Sequence, residues 1–130
     1  KVIAPAVEAG KVVLCDRFVD SSIAYQGYGR ELGAKTVWRI NEPAVNGYMP
    51  DVTLFMNVPP ERAFARMNEL KQYDRLEIED ISFHRRVYEG YMELIKKPGV
   101  IVIDAAGTKY ETRDVIREKI EPVLAEAGLL

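Results

Sequence analysis

Three short apolar runs, alternating with stretches of helical period, predict an α/β fold in three layers around a parallel sheet. The runs are Val12–Cys15, Val52–Val58 and Val100–Ile103. The first and third are continuously apolar and the second is broken only by Thr53 and Asn57, the pattern of a strand covered on both faces. Strands that alternate with helices belong to layered α/β architectures. At 130 residues the chain has the size of one domain, or part of one, and is large enough for a core.

Taken in order, Val2, Ile3, Ala6 and Val7 followed by Gly10 read as the tail of a helix with a glycine stop. The strand Val12–Cys15 comes next, and Asp16 and Arg17 stand at its carboxyl end, the edge where open parallel sheets bind ligands. Ser21 to Tyr28 reads as a short helix, with Gly27, Gly29 and Gly33 marking loops around it. Thr36 to Val45 carries Val37, Ile40 and Ala44 on one helical face, and Pro43 weakens its end. Asn46-Gly47 and Pro50-Asp51 are turn chemistry.

Val52–Val58 is the second strand, and Pro59-Pro60-Glu61 opens a helix with proline in its favoured early position. That helix runs through Ala63, Phe64 and Met67 into Asn68–Asp74, which is charged, lacks periodicity and reads as a mobile loop. A long helix follows from about Ile81, with Phe83, Val87, Tyr91 and Leu94 on one side. Pro98-Gly99 ends it, Val100–Ile103 is the third strand, and Thr112 to about Ala127 is the last helix. No internal repeat, low-complexity tract or linker interrupts the series.

Composition removes several classes. A net charge of −2 offers no basic field for nucleic acid or an anionic membrane. The apolar runs are strand-sized, short of the roughly 18 residues a membrane span needs. Lys1-Val2-Ile3-Ala4-Pro5 lacks the apolar core of a signal peptide. The lone Cys15 has no partner for an internal disulfide and reads as a small buried hydrophobe. A cytoplasmic address is expected.

Two readings attach to Asp16 and Arg17. Either they cap the strand and pair with surface charges, or the carboxylate serves a metal ion while the guanidinium forks onto phosphate oxygens. Ser21, Ser22, Tyr25 and Gln26 follow closely. If Ser21 opens a helix, Ser22, Tyr25 and Gln26 share one face by the i, i+3, i+4 rule. Such a face offers a ring to lie beneath a sugar and polar groups for a base edge. Further on, Gly29-Arg30-Glu31-Leu32-Gly33-Ala34-Lys35-Thr36 is one residue from a phosphate-binding loop. The motif needs a glycine at Ala34 and a buried strand just before it, and Ala24–Tyr28 is no strand.

The motif D-R-x-x-x-S-S-x-A-Y-Q-G over Asp16–Gly27, with Gly29-Arg30 and Leu32-Gly33, resembles the thymidylate (dTMP) kinase family. The similarity continues through Pro50–Phe55, Val58–Glu61, Asp74-Arg75-Leu76-Glu77, Phe83-His84 and Val102–Ala105. It implies that residues 1–130 are a C-terminal part of such a domain, with a lid over ATP at about 68–77. The sheet would then be of the P-loop nucleotide kinase type and incomplete, its N-terminal strands and phosphate loop lying upstream. In the family the strand bearing that loop lies between those matching Val12–Cys15 and Val52–Val58, so these two are not expected to pair directly. The 130-residue chain by itself is expected to be inactive.

The resemblance further implies transfer of the ATP γ-phosphate to dTMP, giving dTDP and ADP with Mg2+, within dTTP biosynthesis. Asp16 then serves the magnesium, and Arg17 holds the dTMP phosphate and meets the transferring group. Ser22 and Gln26 face the thymine, with Ser22 standing where relatives carry Asn, Thr or Gly. Tyr25 lies beneath the deoxyribose and leaves no room for a 2′-hydroxyl, or else is a packed helix aromatic. Arg66 and Arg75 match basic positions near ATP, and Lys71 is the added cation of the lid. Between Lys71 and Arg75 the planar fork favours Arg75 for the γ-phosphate. Ala105 and Ala106 stand where adenine binds in related kinases. Glu77 contacts substrate or magnesium, or is an exposed helix-start carboxylate, and Arg30 is near the site or a solvated loop charge. His84, with no second ligand at spacing, reads as a packed or exposed helix residue. Relatives are homodimers, with dTMP and ATP as partners and no nucleic acid or membrane. The rival readings are another P-loop nucleoside or nucleotide kinase, and an inactive or accessory subunit.

Overall fold

The computed structural model describes residues 2–70, 80–105 and 107–130, with the side chains of 67–70 outside that description. In chain order the elements are α1 (Ile3–Glu8), α2 (Val19–Ser22), a π-helix (Ile23–Gly29), α3 (Ala34–Val45), β1 (Thr53–Asn57), α4 (Pro60–Leu70), α5 (Ile81–Leu94), β2 (Val100–Asp104) and α6 (Lys109–Glu126). They form two units, Lys1–Pro50 with Asp80–Leu94, and Asp51–Glu79 with Ile95–Leu130.

In the first unit the apolar stripe of α5 supplies Phe83, Val87 and Leu94 to a core shared with Val19, Ile23, Ala24, Val37 and Val45. The π-helix lies against α5 at two glycines that leave no room for a side chain. A Cβ on Gly29 would stand 2.7 Å from both Phe83 Cε2 and Val87 Cγ2, and one on Gly90 would stand 2.7 Å from the Tyr28 ring. Arg86 fastens the same crossing: its Nε and Nη2 each donate to the Gly29 carbonyl at 3.1 Å. α3 begins at Ala34, earlier than its periodicity suggests, and runs through Pro43 to end at Asn46 in the left-handed region. Asp80 opens α5, accepting hydrogen bonds from the Ser82 N–H at 3.0 Å and the Ser82 hydroxyl at 2.8 Å.

In the second unit β1 and β2 pair in parallel, from Thr53 opposite Val100 to Asn57 opposite Asp104. Gly99 makes the entry to β2, with φ +79 and the Asp51 carbonyl oxygen 2.8 Å from where a Cβ would sit. α6 packs on β2, where Ile103 is fully buried while Val102 remains 41% exposed. The start of α6 is set by a capping box rather than by its apolar period. Thr108 Oγ1 accepts from the Glu111 N–H at 3.3 Å, and Glu111 Oε2 accepts from the Thr108 N–H at 2.7 Å.

Three expectations are corrected. Val12–Cys15 is not a strand: the described strands are β1 and β2 alone, and Val12 is 68% and Leu14 96% exposed. An apolar run becomes a strand only where neighbours pair its backbone, and this run is not in the sheet. Cys15 is accordingly exposed rather than buried. The helix expected over Ser21–Tyr28 is a turn of α-helix that continues as a π-helix. The fold is α/β with an incomplete, two-stranded parallel sheet. No described helix is long and apolar enough to cross a membrane.

Two outcomes follow from this packing. Gly90→Ala gains helix propensity worth about 0.5–1 kcal/mol but overfills the contact with Tyr28, which costs about 1–3 kcal/mol. A net loss of stability is expected in urea denaturation, and an unchanged or raised midpoint would contradict the close crossing. The second concerns acid. The Ser82 N–H, then its hydroxyl, holds Asp80 below the usual carboxylate range, and the Thr108 N–H, then its hydroxyl, does the same for Glu111. A depressed folded pKa gives stability that is present above the unfolded value, about 4, and is lost as pH falls through the folded one. Asp80→Asn combined with Glu111→Gln therefore makes the fall of melting temperature below pH 4 shallower, and an equally steep acid limb would refute the assignment.

Candidate functional site

The residues before α2 turn sharply. Arg17 has φ 63, a left-handed backbone that costs a non-glycine residue about 1–2 kcal/mol. The Cys15 thiol donates to the Arg17 carbonyl at 3.2 Å across this bend. Such strain at a charged residue is the kind that collects at functional sites. The turn brings the Arg17 guanidinium over the face of Tyr25, 5.6 Å from the ring centroid, within cation–π range.

Tyr25 is itself held from α5. Its ring meets Phe83 edge-on at 6.1 Å and Tyr91 at 6.4 Å. The Tyr91 hydroxyl is 2.9 Å from Ser21 Oγ, a bond that joins α5 to α2. Burial pushes the Tyr91 phenol above its ordinary value, against the opposing pull of the Ser21 hydrogen bond and of Arg17, so it stays a neutral O–H. Arg30 is exposed and lies 4.8 Å over the Phe83 ring.

The π-helix changes how the nominated residues line up. Its i→i+5 bonds, such as the Arg30 N–H to the Tyr25 carbonyl at 2.9 Å, widen the turn, so the i, i+3, i+4 face assumed for an α-helix does not apply. Tyr25 and Ser22 are half-buried and Gln26 is exposed. Asp16 is exposed beside Arg17, and no group of three metal-ligating side chains occurs among the described residues. The near-match to a phosphate loop fails on context: a π-helix precedes it, Gly33 (φ +83) caps α3, and α3 starts at Ala34.

In the second unit Arg66 Nη2 donates to the Gly107 carbonyl at 3.4 Å, so the side chain reaches the loop that leaves β2. Ala105 is buried at the start of that loop, its N–H directed to the Asn57 carbonyl at 3.4 Å. Arg66 thus reaches the loop that Ala105 begins, at the carboxyl end of the two-stranded sheet. Lys71, Arg75 and Glu77, most of the lid at 68–77, and Ala106 lie outside the described residues.

Sequence reasoning did not single out Tyr91 or Arg86. Tyr91 was legible only as one member of an apolar stripe, although a half-buried tyrosine hydroxyl needs a partner. Arg86 gave no signal before the π-helix end it caps was known. His84 is half-buried with its ring edge-on to Phe83 at 5.3 Å.

The family model described as thymidylate kinase matches residues 1–116. The chain is 46% identical over 127 residues to a thymidylate kinase of Geobacillus thermodenitrificans, covering 95% of this chain and 55% of the relative. It is 51% identical over 98 residues to that of Lactobacillus acidophilus, covering 74% and 45%. It is 37% identical over 129 residues to that of Bacillus licheniformis, covering 96% and 59%. The chain belongs to the thymidylate kinase family, and spans about half the length of the curated relatives it matches.

Proposed function

We propose that the protein carrying this chain transfers the γ-phosphate of ATP to dTMP, giving dTDP and ADP for dTTP biosynthesis. A phosphate oxygen of dTMP attacks the γ-phosphorus, the bond to the β–γ bridging oxygen breaks, and ADP leaves. Such chemistry asks a protein mainly for positioning and charge neutralisation. The observation that carries the reading is the pairing of Arg17 with Tyr25: a planar fork suited to phosphate beside an aromatic face suited to a sugar.

On this reading Arg17 binds the dTMP phosphate and stabilises the transferring group. Tyr25 packs under the deoxyribose, and Ser22 and Gln26 address the thymine. Arg66, which reaches the Gly107 carbonyl just after β2, and Ala105 serve the ATP side together with Lys71, and Arg75, in preference to Lys71, neutralises the γ-phosphate. Magnesium is usually held through one or two carboxylates together with substrate phosphates. The exposed carboxylate of Asp16, adjoining Arg17, fits that use, and the ion when bound supplies further neutralisation of phosphate charge. The same reading includes a cytoplasmic homodimer with no nucleic-acid or membrane partner, in keeping with a net charge of −2.

The test is a coupled assay of ADP release from ATP with dTMP, using the protein that carries these residues. Arg17→Ala should lower turnover about ten- to a hundredfold, the worth of one charge-assisted phosphate contact, with little change in melting temperature. Near-parental turnover in that variant would overturn the role given to Arg17, and no dTMP-dependent ADP release from the parent would overturn the function.

A further inference from the structure

We infer that Tyr91 is a positioning residue: it fixes the plane of the Tyr25 ring and, on the reading proposed above, thereby sharpens the choice of deoxyribose over ribose. The geometry is a clamp in two parts. The Tyr91 and Tyr25 rings meet in a T-shaped pair at 6.4 Å and an interplanar angle of 82°, while the Tyr91 hydroxyl lies 2.9 Å from Ser21 Oγ. Tyr91 therefore grips both the ring and the short helix that leads into the turn carrying it. Phe83, two helical turns earlier on α5, supports the ring from a second direction at 6.1 Å, and the Arg17 guanidinium lies over its face. α5 itself is seated at the π-helix by contacts too tight to shift, since Gly90, next to Tyr91, lies against the Tyr28 ring.

A steric test for a single hydroxyl is only as sharp as the position of the wall that applies it. Excluding an added group requires that the ring not yield by even a fraction of an ångström, because packed contacts lose their repulsion quickly when a neighbour relaxes. Phe83 alone leaves the Tyr25 ring free to tilt toward the side Tyr91 occupies. The buried phenol keeps its proton, so the bond to Ser21 persists across the neutral range.

The experiment uses Tyr91→Phe, which retains the ring and loses the hydroxyl, and Ser21→Ala, which removes the same bond from the other side. In the protein carrying this chain, each variant should narrow the ratio of kcat/KM for dTMP over ribothymidine 5′-monophosphate by about two- to tenfold, the worth of one neutral hydrogen bond. KM for ATP should stay at the parent value, and the double variant should add nothing beyond either single one. Without nucleotide, the Arg17 Hδ proton shifts, which feel the Tyr25 ring current, should move in both variants. Unchanged sugar discrimination together with unchanged Arg17 shifts would overturn the inference, as would a lowered melting temperature that alters neither. If the parent fails to accept dTMP, the proposed function fails, and the Arg17 shifts alone then decide whether Tyr91 positions Tyr25.

Discussion

The close crossing of the π-helix and α5 is the contact on which the first unit depends. Gly29 and Gly90 remove side chains at the two points where the backbones approach, and Arg86 fastens the free carbonyl end of the π-helix to α5. Everything that shapes the candidate site is measured from this crossing. It sets Phe83 and Tyr91 against Tyr25, sets Tyr91 against Ser21, and places Phe83 beneath Arg30. A bulkier residue at either glycine would separate the helices and loosen all of these contacts together, because side chains in a packed core transmit displacement.

Charge enters this apolar setting at its border. Arg17 pays a backbone cost in the left-handed region and in return places a permanent cation over the Tyr25 face. Arg30, whose φ of −90 carries no such cost, lies over Phe83. Two guanidinium groups are thus set against aromatic rings, an arrangement that keeps planar forks oriented. In the second unit the equivalent economy is a short parallel pair whose carboxyl end gathers Arg66, Gly107 and Ala105, the edge at which α/β sheets bind ligands.

Much of this was legible before any coordinates. β1 and β2 lie within the runs Val52–Val58 and Val100–Ile103, give or take a residue, because short, mostly apolar runs bounded by turns have few other uses. The stripe Phe83, Val87, Leu94 became the buried side of α5. Asp16 and Arg17 were singled out partly from a strand end that does not form, yet Arg17 does lie over Tyr25. What failed was whatever depends on a partner. Val12–Cys15 has the apolar character of a strand, but pairing is a property of two segments and cannot be read from one. The π-helix was hidden for a different reason: i→i+4 and i→i+5 bonding are separated by packing, and Gly27 and Gly29 mark only a place where α5 and Ala34 come close. Tyr91 shows the limit most clearly, since a tyrosine in an apolar stripe looks like core until the hydroxyl's partner, Ser21, is seen.

The account rests on Arg17 and Tyr25 acting together on one nucleotide, and a crystal structure of the protein carrying this chain with dTMP bound tests that most directly. The expected result has the phosphate oxygens of dTMP within hydrogen-bond distance of the Arg17 guanidinium and the deoxyribose packed on the Tyr25 ring. A bound nucleotide that touches neither residue, with Arg17 still lying over Tyr25, would contradict it.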